Sequence, residues 1–473
     1  MSRRSTPPSA AVPDDAYRET LAHLFGLRRF GMRPGLEVIR ALLEADGHPE
    51  GSFHAVHVAG SKGKGSVSAM VAAILQARGL RVGLYTSPHL RSFRERIQID
   101  RHPIPHSAVV EGVARLRSAA EELRARGTIE QEPTFFELTT ALAFGWFRSE
   151  GVEHAVVEVG LGGRLDATNV VQAPVGVVTT LELEHTEILG PTLTDIAREK
   201  AGIFHPGMRG VVGELNPEAL REVQRSATSA GVPLWLLGRD LQVEDRKLSP
   251  LGQSFTVITP SRTVRSIHLP LAGAFQADNA ALAVAAASAY SSAVGGRLTD
   301  TAVRQGLAKV QWRARLERIS RKPDVYVDVA HTPESARAVA QGLAEIYPFT
   351  EPGDNVVVFG CLSDKRVEDI LEAFAPLATT LVIVPVRSDR SRPVDEIRRA
   401  AVGRFPRIVI APDVTQGLKL ARVATGTDGF ALVAGSDYLI GELLQGLEGS
   451  GEDEPDLSDP VHAPASVPPR GAR

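Results

Sequence analysis

The segment HVAGSKGKGS, residues 57–66, connects an apolar β-branched run to a helical pattern. Residues 53–59 (FHAVHVA) predict a buried strand, and residues 66–78 (SVSAMVAAILQAR) predict the helix that follows it. Glycines between them allow backbone N–H groups to point at an anion, and a helix N-terminus adds positive potential. The spacing departs from a strict Walker A motif, because an extra glycine separates Lys64 from Ser66. The segment still predicts a phosphate-binding loop rather than a glycine turn with solvated lysines.

Short β-branched runs alternate with helical patterns along the chain, which predicts an α/β fold with parallel sheets covered by helices. In the first half, the other strand candidates are residues 82–85, 155–159 and 175–180. A two-stranded, hairpin-like stretch at 255–269 and a long helix at about 276–292 follow them. A second series of strand candidates comprises residues 325–329, 356–359, 381–384, 408–410 and 431–433.

This pattern predicts two domains, an N-terminal P-loop-like domain with a mostly parallel sheet and a smaller C-terminal Rossmann-like α/β domain. The chain has 473 residues, which is long enough for two separate cores. Proline-rich ends that lack large apolar residues predict disordered tails at residues 1–15 and 448–473. Between the tails, we assign residues 16–297 to the first domain and residues 298–447 to the second.

Composition excludes several classes of protein. The formal net charge is -3, which argues against a nucleic-acid-binding protein. Cys361 is the one cysteine of the chain, which excludes a disulfide scaffold and a CxxC metal or redox site. The apolar run at 280–294 is shorter than the ~20 residues of a membrane helix, and the N-terminus lacks the apolar stretch of a signal peptide. We therefore expect a cytoplasmic protein without nucleic-acid or membrane partners.

Ionisable side chains follow several strand and helix ends in the first half. Glu158 lies in the strand at 155–159, and His185 follows the strand at 175–180. Either residue alone is equally consistent with a solvated or structural role. Because parallel sheets bind ligands at the carboxyl ends of their strands, the two together favour a ligand site. Lys200 ends a helical pattern, and by itself it indicates a surface lysine that interacts with the helix dipole.

Four polar residues further along the chain are also candidate site residues. Asp328 and His331 lie at the end of the strand at 325–329, Asn279 opens the long helix, and Arg315 follows Trp312 in the segment WRARLE. Taken singly, Asn279 fits an ordinary helix start and Arg315 fits a solvated linker charge.

Taken together, these motifs resemble the folylpolyglutamate synthase and dihydrofolate synthase family of Mur-type peptide ligases. The resemblance extends from about residue 17 to residue 447, nearly everything except the tails. Nine segments occur in the order of that family: HVAGSKGKGS (57–66), TSPHL (86–90), ERIQI (95–99), PTFFELTTALAF (133–144), EVGLGGRLDATN (158–169), EHTEILG (184–190), EKAGIF (199–204), WRARLE (312–317) and DVAHTPESA (328–336).

The resemblance implies a role for each matching position. For the ATP site it implies Lys62, Gly63, Lys64, Gly65, Ser66, Asn279, Arg315, Asp328 and His331. For Mg²⁺ it implies Ser87, Glu158 and His185, and for pterin contacts it implies Thr134, Phe135, Phe136, Glu137, Leu165, Asp166 and Ala167. Lys64, His185 and Lys200 would be the catalytic residues, and Lys200 matches a lysine that the family carbamylates.

The implied activity is that of an ATP-dependent amide ligase, which adds L-glutamate to dihydropteroate or to reduced folates through an acyl phosphate. ATP and Mg²⁺ would be the cofactors, small molecules the partners, and a monomer the expected state. A Mur-type ligase for another carboxylate, a nucleotide-binding regulator and an inactive homologue are the alternatives. This chain departs from the family pattern at a few positions, including Glu184, Phe275, Arg313–Ala314 and Thr332.

Overall fold

An eight-stranded, mostly parallel sheet forms the centre of the first half of the chain. The computed structural model describes residues 14–27, 35–348, 353–426 and 429–448. The strands of this sheet are β1 (His54–Ala59), β2 (Val82–Tyr85), β3 (Ile97–Ile99), β4 (His102–Pro103), β5 (His154–Glu158), β6 (Val175–Val178), β7 (Arg209–Val212) and β8 (Leu234–Leu236). In space they lie in the order β4-β3-β2-β5-β1-β6-β7-β8, and only the β2–β3 and β3–β4 pairs are antiparallel.

Helices cover both faces of this sheet and bury its β-branched side chains in two hydrophobic clusters. The helices are α1 (Asp14–Gly26), α2 (Glu37–Ala45), α3 (Lys64–Ala77), α4 (His106–Ala125), α5 (Phe135–Ser149), α6 (Thr186–Leu189), α7 (Leu193–Ala201), α8 (Pro217–Ser229), α9 (Ala274–Ala293) and α10 (Asp300–Ala308). Short 3-10 turns occur at Pro49–Ser52 and Phe93–Arg96. The long helix expected at 276–292 is α9, which is buried along most of its length.

A separate antiparallel sheet follows β8, and it has three strands where the sequence predicted two. Its strands are β9 (Gln242–Ser249), β10 (Gly252–Thr259) and β11 (Arg262–Leu269), with β10 in the middle. The sequence of β9 is QVEDRKLS, and most of its residues are exposed. Because this edge strand is polar, the apolar alternation that indicates a strand is missing from it.

The second sheet has six strands and lies in the last third of the chain. Its strands are β12 (Glu317–Ser320), β13 (Asp324–Asp328), β14 (Val356–Phe359), β15 (Thr380–Ile383), β16 (Arg407–Ile410) and β17 (Phe430–Ala434), in the order β12-β13-β17-β14-β15-β16. All pairs are parallel except β12–β13. Its helices are α11 (Pro333–Ile346), α12 (Val367–Phe374), α13 (Val394–Ala401), α14 (Val414–Ala424) and α15 (Asp437–Glu448), with a 3-10 turn at Ala375–Leu377.

Helix α10 packs with the first domain, although the division at 297/298 assigned it to the second. Val303 and Leu307 are fully buried in the same cluster as α3 and α9. The apolar face of α10 is complementary to α3, and no local sequence signal says which core such a helix joins. The first core therefore continues to Val310, and the chain passes to the second sheet through residues 311–316.

The two predicted tails lie almost entirely outside the described residues. Helix α1 begins at Asp14 and α15 ends at Glu448, so each helix enters the predicted tail by one or two residues. Among the described helices, none is both long and apolar enough to span a bilayer.

Gly306→Ala is expected to lower the free energy of unfolding by about 1–3 kcal/mol, because a Cβ at this position would lie 2.6 Å from Ile74 Cα on α3. Alanine normally favours a helix over glycine by about 1 kcal/mol, so any loss reports the contact between α10 and α3. Denaturant unfolding measures the effect. Gly51→Ala is the control, since no atom lies within 4 Å of the added Cβ. A Gly306→Ala protein as stable as the wild type would contradict the close packing.

Candidate functional site

A cleft of about 750 Å³ lies between the carboxyl ends of the two parallel sheets. Residues after β1, β5 and β6 line it from the first domain, and residues after β13, β14 and β17 line it from the second. Open parallel sheets bind ligands at this edge, because the loops there bring polar groups of several strands together. The cleft is therefore the candidate site.

The glycine loop at 61–66 forms one wall of the cleft and leads into the first turn of α3. Gly63 is the N-cap of α3, with a φ of +85° that L side chains rarely adopt. A Cβ on Gly63 would lie 2.6 Å from Asn279 Oδ1, so the loop and α9 are in close contact here. The Asn279 amide also donates to Gln276 Oε1 at 3.1 Å. The loop N–H groups and the N-terminus of α3 thus face a cleft that Asn279 also lines.

Three lysines and one carboxylate form a cluster beside this loop. Lys64 Nζ donates to the Gly60 carbonyl at 2.9 Å, and Lys200 Nζ donates to the same carbonyl at 2.8 Å. Glu184 bridges two of the lysines, accepting from Lys200 Nζ at 3.3 Å and from Lys62 Nζ at 3.4 Å. Lys200 is only 2% exposed, which excludes the surface position that its sequence context alone suggested.

Burial and the lysine charges change the ionisation of this cluster. Burial raises the pKa of Glu184, but the charges of Lys200, Lys62 and Lys64 outweigh it and hold that pKa well below the usual value. Burial, with the Lys64 charge, lowers the pKa of Lys200 to about 8, although the Glu184 charge opposes the shift. Burial and the same lysines lower the pKa of His185 to about 4, so its imidazole is neutral at pH 7.

The three residues expected to hold a metal all line the cleft. Glu158 is 3% exposed at the end of β5, and its Oε2 accepts the Ser87 N–H at 3.2 Å. Nowhere in the described ranges do three His, Cys, Asp or Glu side chains come together as a metal site. A carboxylate, a hydroxyl and a neutral imidazole are an incomplete ligand set. They fit Mg²⁺, which commonly takes one or two carboxylates and completes its shell with water and phosphate oxygens.

The opposite wall carries the candidates from the second domain. Asp328 is buried at the end of β13 and accepts the N–H groups of Leu316 at 2.7 Å and Ala330 at 2.8 Å. Burial raises the pKa of Asp328 to about 6, although the Arg315 charge opposes the shift. His331 Nδ1 lies 3.8 Å from Asp437 Oδ2 at the start of α15. Asp328 therefore attaches the linker to the second sheet at the edge of the cleft.

The seven residues expected to contact the pterin do not line the cleft. Thr134 and Glu137 form a capping box at the start of α5, with Thr134 N–H donating to Glu137 Oε2 at 2.7 Å. Phe135 and Phe136 are buried in the first core, and the Asp166 carboxylate accepts the Leu161 N–H at 2.9 Å. These residues lie behind the cleft wall. They are nevertheless close to the cleft, because a Cβ on Gly160, which lines it, would lie 2.9 Å from Phe136 Cε1.

Several cleft residues were absent from the sequence-based set of site residues. They are Ser61, Thr180, Glu182, Glu184, Gln276, Asp278, Lys365, Ser436, Asp437 and Tyr438. Glu184 precedes His185 directly, so its position was a usable signal. Lys365 and Ser436 follow β14 and β17, and they could have been found by treating every strand end of the second sheet as a candidate.

Both halves of the chain match family models. Residues 58–287 match the Mur ligase middle domain, and residues 314–437 match the Mur ligase glutamate ligase domain. The second match begins after α10, where the chain passes to the second sheet. A folylpolyglutamate synthase of Lacticaseibacillus casei is 36% identical over 434 residues, which cover 92% of this chain and 99% of that protein. A dihydrofolate synthase/folylpolyglutamate synthase of Bacillus subtilis is 31% identical over the same length, with the same coverage.

Solved structures share the whole architecture. A Mycobacterium tuberculosis folylpolyglutamate synthase complexed with ADP and AMPPCP aligns with a TM-score of 0.84 and 33% identity, covering 93% of this chain and 100% of that one. A folylpolyglutamate synthase complexed with AMPPCP and folate aligns with a TM-score of 0.76 and 34% identity, covering 92% and 100%.

Gly63→Ala tests the contact between the glycine loop and α9. Alanine at this positive φ is expected to cost about 1–2 kcal/mol of unfolding free energy, and the clash with Asn279 adds to that cost. In an Asn279→Ala background the clash is absent, so the same substitution should cost less. Denaturant unfolding of the four proteins gives the coupling. An equal cost in both backgrounds would show that Asn279 does not restrict the loop.

Proposed function

This chain belongs to the folylpolyglutamate synthase and dihydrofolate synthase family of Mur ligases, and we propose that it joins L-glutamate to dihydropteroate or to a reduced folate with consumption of ATP. The observation that carries the proposal is the interdomain cleft, in which the glycine loop, three lysines and a buried carboxylate converge. The relatives that match the chain along most of its length support the same reaction. As the resemblance implies, the proposal includes a monomeric, cytoplasmic enzyme with small-molecule partners.

The reaction requires activation of a carboxylate, because an unactivated carboxylate would have to expel oxide. In the first step the γ-phosphoryl group of ATP moves to a carboxylate oxygen, giving ADP and an acyl phosphate. The free amine of glutamate then attacks the acyl carbon and loses a proton. The tetrahedral intermediate expels inorganic phosphate and leaves the amide. Catalysis of phosphoryl transfer is mainly positioning and neutralisation of charge.

Lys62 and Lys64 are proposed to neutralise the phosphates over the N-terminus of α3. Their positions support this role, because both ammonium groups lie at the loop that caps the helix. Gly63, Gly65 and Ser66 would offer backbone N–H groups without a large side chain in the way. Asn279, Arg315, Asp328 and His331 would complete the nucleotide site, and their presence on the cleft walls supports the assignment.

Ser87, Glu158 and His185 are proposed to hold Mg²⁺. When bound, this ion would neutralise charge on the phosphate oxygens. The chain's own contribution is a buried carboxylate held by the Ser87 N–H and an imidazole that stays neutral at physiological pH. The pterin contacts at 134–137 and 165–167 remain part of the proposal, and the close approach of Phe136 and Asp166 to cleft-lining Gly160 supports it.

Lys200 is proposed to carry a carbamate on Nζ. Formation of a carbamate requires a neutral amine, and the lowered pKa of Lys200, about 8, makes that form accessible near neutral pH. The carbamate nitrogen keeps one N–H, which suffices for the Gly60 carbonyl at 2.8 Å. Lys62 and Lys64 would then attract the added negative charge.

A nucleotide-binding regulator is the alternative of another class, and phosphate release separates it from a ligase. We expect wild-type phosphate release to require both a pterin acid and L-glutamate, whereas a regulator would hydrolyse ATP without them. Lys64→Ala should lower the ligation rate about a hundredfold or more, because it removes a charge next to the transferred phosphoryl group. Lys419→Ala, at an exposed position of α14, is the matched control. A folded Lys64→Ala protein with normal turnover would refute the role of the loop.

Lys200→Ala is expected to abolish ligation, and added acetate or formate should restore part of the rate by supplying carboxylate oxygens in the vacated space. Lys200→Arg should stay inactive, because it keeps a positive charge that cannot be carbamylated. Steady-state rates with and without the short acids measure both effects. Wild-type turnover by Lys200→Arg would exclude the carbamate.

A further inference from the structure

Arg96 is a fully buried arginine whose guanidinium group lacks most of its hydrogen bonds. Its side chain is 0% exposed, and its Nε donates to His89 Nδ1 at 2.7 Å. Among the residues that the structure describes, neither Nη1 nor Nη2 has a hydrogen-bond partner. Buried polar groups are nearly always paired, and an uncompensated buried charge is strongly destabilising. A chain that keeps such a group pays for it in stability, which points to a ligand that supplies the missing acceptors.

The guanidinium group lies over one ring of an aromatic cluster. Arg96 Cζ lies 5.2 Å from the centre of the Phe135 ring. The Phe25 ring stacks on Phe135 at 5.8 Å with an interplanar angle of 19°, and on His89 at 6.4 Å with an angle of 24°. A cation over a ring gains roughly 0.5–2 kcal/mol, but it leaves the two Nη donors unsatisfied. The surroundings therefore suit a planar ring with acceptor atoms along one edge.

Arg96 is also close to the candidate site. Its backbone carbonyl accepts the Thr86 N–H at 3.0 Å, and the next residue, Ser87, lines the cleft. Phe135, which lies against the guanidinium group, is followed by Phe136. The Phe136 ring packs against Gly160, a residue that lines the cleft. The Arg96 backbone and the start of α5 therefore both lie next to residues that line the cleft.

We propose that Arg96 donates to the acceptor edge of the pterin ring of the acyl substrate, while Phe25 and Phe135 supply faces for stacking. The proposal rests on the proposed function, which it deepens by naming the donor that recognises the pterin. A guanidinium fork matches two neighbouring acceptors, and a pterin presents a carbonyl oxygen and a ring nitrogen side by side.

His89 acts as a positioning residue in this arrangement. Arginine has no acceptor and always carries its protons, so the short contact requires His89 Nδ1 to be the acceptor. This bond holds the guanidinium group through Nε and leaves both Nη groups for other acceptors. Phe25 is half-buried, whereas His89, Phe93 and Phe135 are buried, so Phe25 is the most exposed of these four rings.

The competing explanation is that Arg96 only stabilises the fold through Phe135. The two explanations give opposite signs for stability. Replacing an unpaired buried charge by an apolar side chain of similar length is neutral or stabilising. Arg96→Met should therefore unfold at the same or a higher denaturant concentration if Arg96 serves a ligand, and at a lower concentration if it serves the fold.

The test is equilibrium binding of 7,8-dihydropteroate and, separately, AMPPCP to the full chain. For Arg96→Met we expect the Kd of dihydropteroate to rise at least about tenfold, with AMPPCP binding and stability retained. Arg96→Lys keeps the charge without the fork and should lose affinity similarly, which keeps the test decisive if the Met variant fails to fold. Arg126→Met is the control at an exposed position. Unchanged dihydropteroate affinity, or parallel loss of stability and AMPPCP binding, would overturn the proposal.

Ligation assays separate this proposal from the proposed function. If the wild type ligates dihydropteroate and Arg96→Met does so with an unchanged KM, only the assignment of Arg96 fails. If the wild type releases no phosphate in response to pterin acids and glutamate, the proposed function itself fails. A raised KM for the pterin acid in Arg96→Met, with an unchanged KM for ATP, would support both.

Discussion

Two ammonium groups share the carbonyl oxygen of Gly60, and this contact holds the whole site together. Lys64 reaches it from the start of α3, and Lys200 reaches it from the end of α7. Like charges this close repel each other in a buried setting, so the arrangement requires a counter-charge. Glu184 provides it by pairing with Lys200 and Lys62. Strand β1, the glycine loop that follows it, and helices α3 and α7 are thereby held around one cluster of positively charged side chains.

The linker between the domains is coupled to the same loop. A Cβ on Gly65 would lie 2.5 Å from Trp312 Cζ2, so the indole ring packs directly on the loop. Further along the linker, the Leu316 N–H donates to the Asp328 carboxylate at the end of β13. This bond attaches the linker to β13. A movement of the second domain would therefore be transmitted through the linker to the glycine loop. Closure of a cleft between two domains would exclude water, which would otherwise hydrolyse an acyl phosphate.

Local sequence pattern determined most of the secondary structure and the location of the cleft. Fully buried strands such as β2 and β14 match the expected residues, because VGLY and VVVF are uninterrupted apolar runs. The glycine loop between β1 and α3 carries its own signal, since its residue types permit positive φ and close approach to an anion. Strand ends then indicated Glu158 and His185. The motif order was sufficient to identify the family that the comparisons support.

Tertiary structure alone decided three features. Helix α10 joins the first core because its apolar face fits α3, and Lys200 is buried because Glu184 and the Gly60 carbonyl come to it from distant segments. Likewise, nothing local in ERIQI reveals that the two Nη groups of Arg96 lack partners within the described part of an aromatic cluster. Periodicity reports which face of an element is apolar, whereas burial of a charge depends on which other elements pack against it.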